Sequence, residues 1–285
     1  MKPLRALVTI LLLLINLTAI QAQSNGKSAY PIGLQLYNLR DYLPRDVYGY
    51  IDKVEDMGIR ELEGGGTYGM SIKDFLQLCA DHRLNMIAIG ADYNELATAP
   101  EKAIDQAKAF GVRFVVVYWI PHADGPLSPE DADKAISVFR TAGKKLADAG
   151  ITLCYHPHGY EFTPYKNGTV FDYMVSQLDP AVFNFELDVY WAKQGGADPL
   201  ALLRKYPNRF PLVHLKDRKP GTPDSTNGHA DVETNVVLGT GDVGIGPILQ
   251  EARKLGVKHF FIEDESSRVL EQLPPSIQFI RKNLR

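Results

Sequence analysis

The 285-residue sequence predicts an α/β fold of the (β/α)8 type, a TIM barrel forming a single domain after an N-terminal signal peptide. Three observations carry this. Short apolar runs rich in β-branched and aromatic residues recur eight times from Tyr30 onward. Stretches with apolar residues at three- and four-residue spacing, the period of an amphipathic helix, lie between them. No glycine-rich phosphate loop follows the first run, which argues against an open nucleotide-binding sheet. Alternating strands and helices build a parallel sheet, and eight such units in about 250 residues suit a closed barrel.

The chain opens with Lys2 and Arg5, then the apolar run "ALVTILLLLINLTAI" and the polar "QAQSNGKS". This tripartite shape predicts a signal peptide over 1–22, cut after Ala22, then a polar segment over 23–29 and the barrel over 30–285. The run is shorter than the roughly 20 residues of a membrane-spanning helix, and no cysteine near the cut offers a lipid anchor. The expected destination is across the inner membrane, in the periplasm, without stable membrane insertion after cleavage.

The strand candidates are "IGLQLY" (32–37), "RELEG" (60–64), "MIAIGA" (86–91), "FVVVYWI" (114–120), "TLCYHPH" (152–158), "FNFELDVY" (183–190), "PLVHLKD" (211–217) and "HFFIEDE" (259–265). "RDVYGYIDKVEDMG", "SIKDFLQLCADHR" and "GPILQEARKLG" carry helical periodicity. "SPEDADKAISVFRTAGKKLADAG" adds Ser128 as a cap, Pro129 at the first helical position and acids in the first turn. Gly58, Gly111, Gly150 and Gly256 stand where a helix ends and the next strand begins, a place for the left-handed conformation.

The formal charge is −3, and −5 without Lys2 and Arg5. No basic run or interleaved aromatic stripe is present, so no nucleic-acid partner is expected. Cys79 and Cys154 could pair in an oxidising compartment, but both sit in apolar elements and read more simply as small buried hydrophobes.

A barrel of this type carries its reactive groups at the carboxyl ends of its strands. Those ends supply Gln35, Tyr37 and Arg40; Glu61 and Glu63; Tyr118, Trp119 and His122; His156, His158 and Glu161; Glu186, Asp188, Tyr190 and Trp191; His214, Lys216 and Asp217; and Glu263 and Glu265. Carboxylates on an apolar strand are costly unless paired or bound to metal. Asp188, His214 and Glu263 come from three successive strands as a mixed oxygen and nitrogen set, which suits one divalent ion: Mn, Zn, Co or Fe, with Mg less suited. Taken singly, Asp188 could cap the following loop, His214 could hydrogen-bond in the core, and Glu263 could pair with Lys216. The polar excursion over 219–235 forms a loop near the site, where His229 and Glu233 could touch substrate, with a solvated loop as the favoured reading.

"GLQLYNLRD", "YHPHGYEF", "ELDVYWAKQGGADP", "HLKD", "LGTGDVGIGPIL" and "FIEDE" together resemble the xylose-isomerase-like TIM barrels, and within them the bacterial sugar (phosphate) isomerase/epimerase branch. The resemblance implies one divalent metal at the barrel mouth, with Asp188, His214 and Glu263 as ligands. The family's fifth-strand glutamate is replaced by His156; either His156 is the fourth ligand or Glu161 reaches back. It further implies proton abstraction beside a carbonyl, with the enediolate charge stabilised by the ion. Glu263 or Glu161 would be the base, His158 its acid partner or a substrate hydrogen bond, and Lys216 an oxyanion stabiliser, while Tyr37, Arg40, Trp119 and Tyr190 would bind the sugar.

The implied function is an exported, metal-dependent sugar isomerase or epimerase. The alternatives are a keto-sugar lyase or hydratase, for instance on 3-keto-glycosides, and a sugar-binding barrel that has lost its metal. An endonuclease-IV-like phosphodiesterase would need several metals and a basic groove, and the acidic chain offers neither. The expected partners are a small-molecule sugar or keto-sugar and further copies of the chain in a homo-oligomer.

Overall fold

The computed structural model describes residues 30–284; the expected signal peptide (1–22) and polar segment (23–29) lie outside the described residues. Eight parallel strands close into a barrel: β1 (Gly33–Gln35), β2 (Glu61–Glu63), β3 (Asn85–Gly90), β4 (Phe114–Val117), β5 (Thr152–Tyr155), β6 (Phe183–Asp188), β7 (Leu212–Leu215) and β8 (His259–Ile262). Each pairs with its sequence neighbours, and β8 closes onto β1 through Gly33↔Phe261. The register Asp188↔His214↔Phe261 aligns β6, β7 and β8, so their carboxyl ends share one rim.

The surrounding helices are α1 (Val47–Asp56), α2 (Ile72–Asp81), α3 (Tyr93–Thr98), α4 (Pro100–Phe110), α5 (Pro129–Asp148), α6 (Val170–Gln177), α7 (Val189–Gln194), α8 (Pro199–Lys205), α9 (Ile245–Lys254) and α10 (Val269–Asn283). In α5 the Ser128 hydroxyl accepts from the Asp131 N–H at 3.0 Å, as its sequence suggested. The four helix-ending glycines all adopt positive φ, between 68° and 85°. Among the described residues no helix is long and apolar enough to cross a membrane.

The strands are shorter than expected at their carboxyl ends, and the reasons are local. After β5, the His156 N–H still donates to Val117 O at 2.9 Å, but Pro157 has no N–H with which to continue the ladder. After β6, Asp188 accepts from the Trp191 N–H at 2.8 Å and starts α7, so Val189 and Tyr190 are helical, not strand.

One apolar layer lies between strands and helices. A second fills the barrel with Ala88, Val116, Cys154, Leu212 and Phe261. Cys154 belongs to this inner plug and Cys79 to the outer layer; both are free and buried, with no disulfide between them. The plug is the floor on which the polar rim stands.

Candidate active site

Above the plug, the inward-facing positions turn from apolar to polar within one residue pair per strand. Glu63, Glu186 and His214 form the first layer, all fully buried. The Gln35 side-chain amide and the Tyr118 hydroxyl donate to Glu63 Oε1 at 2.7 and 2.8 Å. His214 Nε2 lies 3.0 Å from Glu63 Oε1 and 3.2 Å from Glu186 Oε2, and His156 Nδ1 lies 3.0 Å from the same Glu186 oxygen. Gly90 makes room for this layer, because a Cβ there would stand 2.8 Å from the Tyr118 ring.

One residue pair higher, the rim closes around an ion-sized space. One donor atom from each of His156, Asp188, His214 and Glu263 lies within 4.8 Å of every other. His156 Nε2 is 3.6 Å from Asp188 Oδ2, and His214 Nδ1 is 3.4 Å from Glu263 Oε2. Asp188 serves two ends: Oδ1 caps α7, while Oδ2 is buried without a hydrogen-bond partner. A buried carboxylate oxygen with no donor beside two imidazoles is costly in an empty protein and natural beside a cation. The donor set fits one divalent ion of the Mn, Fe, Co or Zn type.

The charges follow from burial and from these contacts. Burial raises the Asp188 carboxyl to about 7 and Glu186 well above the carboxylate range, where nearby Glu63 adds to the effect. Burial holds His156 well below its ordinary value. For His214 burial acts downward, but Glu186 and Glu63 outweigh it and raise the imidazole well above 6.5. Burial would raise Glu263, yet Lys216 and His214 hold it well below 4.5. Lys216 is itself buried, and Glu263 and Glu265 overcome that burial and raise its ammonium. Its Nζ lies 3.5 Å from Glu263 Oε2 and in direct contact with Glu265.

A cavity of about 650 Å³ opens above these residues. Tyr37, Arg40, Trp119, His156, His158 and Glu263 are among the residues that line it. His158 Nδ1 lies 3.3 Å from the carbonyl of His156, which leaves Nε2 as the lone-pair nitrogen, and burial lowers this imidazole to about 4.

Three expectations are corrected. Glu161 neither reaches the rim donors nor lines the cavity: its carboxylate accepts from the Tyr155 hydroxyl and, at 3.2 Å, from the His158 N–H. His156 is therefore the fifth-strand member of the cluster. Tyr190 does not line the cavity; it is fully buried with its hydroxyl 2.8 Å from Thr234 Oγ1, and Trp191 lines the wall instead. The 219–235 excursion is not wholly solvated. Gly228, His229 and Ala230 line the cavity, with the His229 ring 6.0 Å from Trp119. Glu233 points elsewhere, accepting from the Ser267 N–H and Arg268. Glu63 and Glu186 were visible at strand ends but had no assigned role; their i, i+2 spacing from Glu61 and Asp188 already placed them on the inner face.

Carboxylates and imidazoles gather at the carboxyl rim of a parallel barrel, under a cavity with aromatic walls, and their donor atoms stand close enough to share a divalent ion. The chain belongs to the xylose isomerase-like TIM barrel family, whose profile matches residues 51–283. A sugar phosphate isomerase/epimerase from Parabacteroides distasonis is 26% identical, with a TM-score of 0.74 over 90% of this chain and 96% of that one. An inosose dehydratase of Klebsiella pneumoniae is 28% identical over 144 residues, 47% of this chain and 48% of the relative, so the match spans about half of that protein. The IolI protein, solved with a bound zinc atom, shares the fold at 14% identity, with a TM-score of 0.67 over 89% of this chain and 96% of that one.

Proposed function

We propose that the chain is a divalent-metal-dependent enzyme that removes a proton from the carbon beside a carbonyl of a sugar or keto-sugar, as an isomerase or epimerase does. The observation that carries this is the convergence of His156, Asp188, His214 and Glu263 from four successive strands, with Asp188 Oδ2 left without a donor. These four residues would hold the ion. When bound, it would supply Lewis-acid stabilisation of negative charge on the substrate oxygens.

The remaining roles belong to side chains. His158 lines the cavity with its lone pair on Nε2, a position from which it takes or returns a proton at the substrate. Lys216, expected to stabilise an oxyanion directly, is fully buried and does not line the cavity; its ammonium pairs with Glu263 and Glu265 and acts on the site through those carboxylates. Trp119 and Tyr37 give apolar faces against which sugar C–H groups pack.

Charge balance favours an unphosphorylated substrate. Arg40 is the one Lys or Arg among the cavity-lining residues, and its guanidinium already donates to the carbonyls of Tyr37 and Glu265 at 3.1 and 3.0 Å. Export to the periplasm, proposed from residues 1–22, agrees with this, because sugar phosphates are largely cytosolic.

A second reading is elimination from a keto-sugar. It is favoured by the likeness to an inosose dehydratase and by His156, which replaces the fifth-strand glutamate of a two-base epimerase. Both readings share the first step. The test is solvent-deuterium exchange into a panel of ketoses, inososes and 3-keto-glycosides, with and without chelator. Metal-dependent label at the carbon beside the carbonyl is expected; no exchange into any candidate sinks the proposal.

A further inference from the structure

We infer that Glu186 is a positioning residue that sets which nitrogen of both imidazoles faces the ion, an inference that rests on the metal reading above. A neutral imidazole carries one N–H, and the hydrogen bond made by one nitrogen decides the role of the other. Glu186 Oε2 stands 3.0 Å from His156 Nδ1 and 3.2 Å from His214 Nε2, so one carboxylate oxygen faces the lower nitrogen of both rings, the His214 N–H being shared with Glu63 Oε1 at 3.0 Å. His156 is left with Nε2 upward, beside Asp188, and His214 with Nδ1 upward, beside Glu263. The two rings thus present opposite nitrogens to the rim.

Glu63 cannot do this alone. Its Oε1 contacts His214 Nε2 but is shared with Gln35 and Tyr118, and among the described residues its contacts do not extend to His156. Glu186 is the carboxylate common to both rings. It lies two residues before Asp188 on β6, so a single strand supplies both a rim donor and the group that orients two others. Placing two carboxylates in one buried layer is unfavourable unless hydrogen bonds and imidazoles compensate them, and here one oxygen of each is compensated in that way. Glu63 and Glu186 each keep one oxygen without a partner, Oε2 and Oε1. With His214 they also form a smaller donor cluster, so a second, deeper ion is the competing explanation.

Three measurements on the full chain test this. Long-range ¹H–¹⁵N spectra of zinc-loaded, ¹⁵N-histidine-labelled protein are expected to show His156 protonated at Nδ1 and His214 at Nε2; either ring with the opposite tautomer overturns the proposal. Zinc titration against a competing chelator is expected to show a loss of about 10–100-fold in affinity for Glu186→Leu. Glu186→Gln, which keeps the shape and a weaker acceptor, is expected to recover part of that loss and serves alone if the leucine variant does not fold. Glu61→Gln, in the layer below with His259, is expected to leave affinity unchanged. Native mass spectrometry is expected to count one zinc per chain. Unchanged affinity in both Glu186 variants, or two zinc ions per chain, sinks the positioning role while leaving a metal site standing. A wild-type chain that takes up no zinc sinks both.

Discussion

Replacing Glu161 by Gln isolates the electrostatic cost of one buried acid. The Glu161 carboxyl is sealed from water. Burial lifts it from 4.5 to about 7, although the Tyr155 hydroxyl and backbone N–H donors favour its charged form. In the unfolded chain the same group releases its proton near 4.5. Below that pH both states hold the proton and the full stability is present. As the pH rises toward 7 the unfolded state ionises first, so stability falls; above 7 the loss is complete and constant. At about 1.4 kcal/mol per pH unit, the interval amounts to about 3 kcal/mol. Gln keeps an oxygen for Tyr155 and for the His158 N–H but cannot ionise. Urea unfolding of both proteins between about pH 4.5 and about pH 8 should therefore show the variant gaining about 3 kcal/mol on the wild type as pH rises. Taking the difference cancels every other titrating group. Parallel stability profiles would refute the reasoning, since they would mean that the carboxyl ionises in its pocket as easily as in water.

Other perturbations separate ligand, charge and contact roles. Asp188→Asn keeps the cap on α7 and removes an anionic donor, so metal affinity should fall more than about a hundredfold while the metal-free protein melts no lower, measured by chelator competition and calorimetry. Lys216→Met leaves Glu263 and Glu265 without their buried cation; turnover should be lost and unfolding free energy reduced by about 3–5 kcal/mol. Trp119→Ala should raise KM on the order of tenfold with kcat nearly unchanged, the signature of lost uniform binding.

The barrel was legible because its signals are periodic and local. Each strand is a short apolar run, and the helix ends at Gly58, Gly111, Gly150 and Gly256 need a residue at home with positive φ. The inward placement of Asp188 was legible for the same reason, since alternation puts it on one face with Glu186. Where the backbone leaves that period, reading failed. Alternation carried on to Tyr190 would have put it on the inner wall, but the chain turns helical at Val189. Glu161 lies beyond Pro157 and Gly159 (φ 95°), and no sequence period says where a carboxylate goes after such a turn. Helix α10 was hidden by Pro274 and Pro275 within it, a pair that ordinarily marks a break. The role of Glu63 and Glu186 depends on contacts across the barrel, between residues far apart in sequence.

The most direct measurement is anomalous diffraction at the zinc edge from crystals grown with zinc. One peak should lie about 2.0–2.2 Å from each of His156 Nε2, Asp188 Oδ2, His214 Nδ1 and Glu263 Oε2. A map with no peak between these four side chains, or with zinc held only by other residues, would contradict the metal centre and the chemistry built on it.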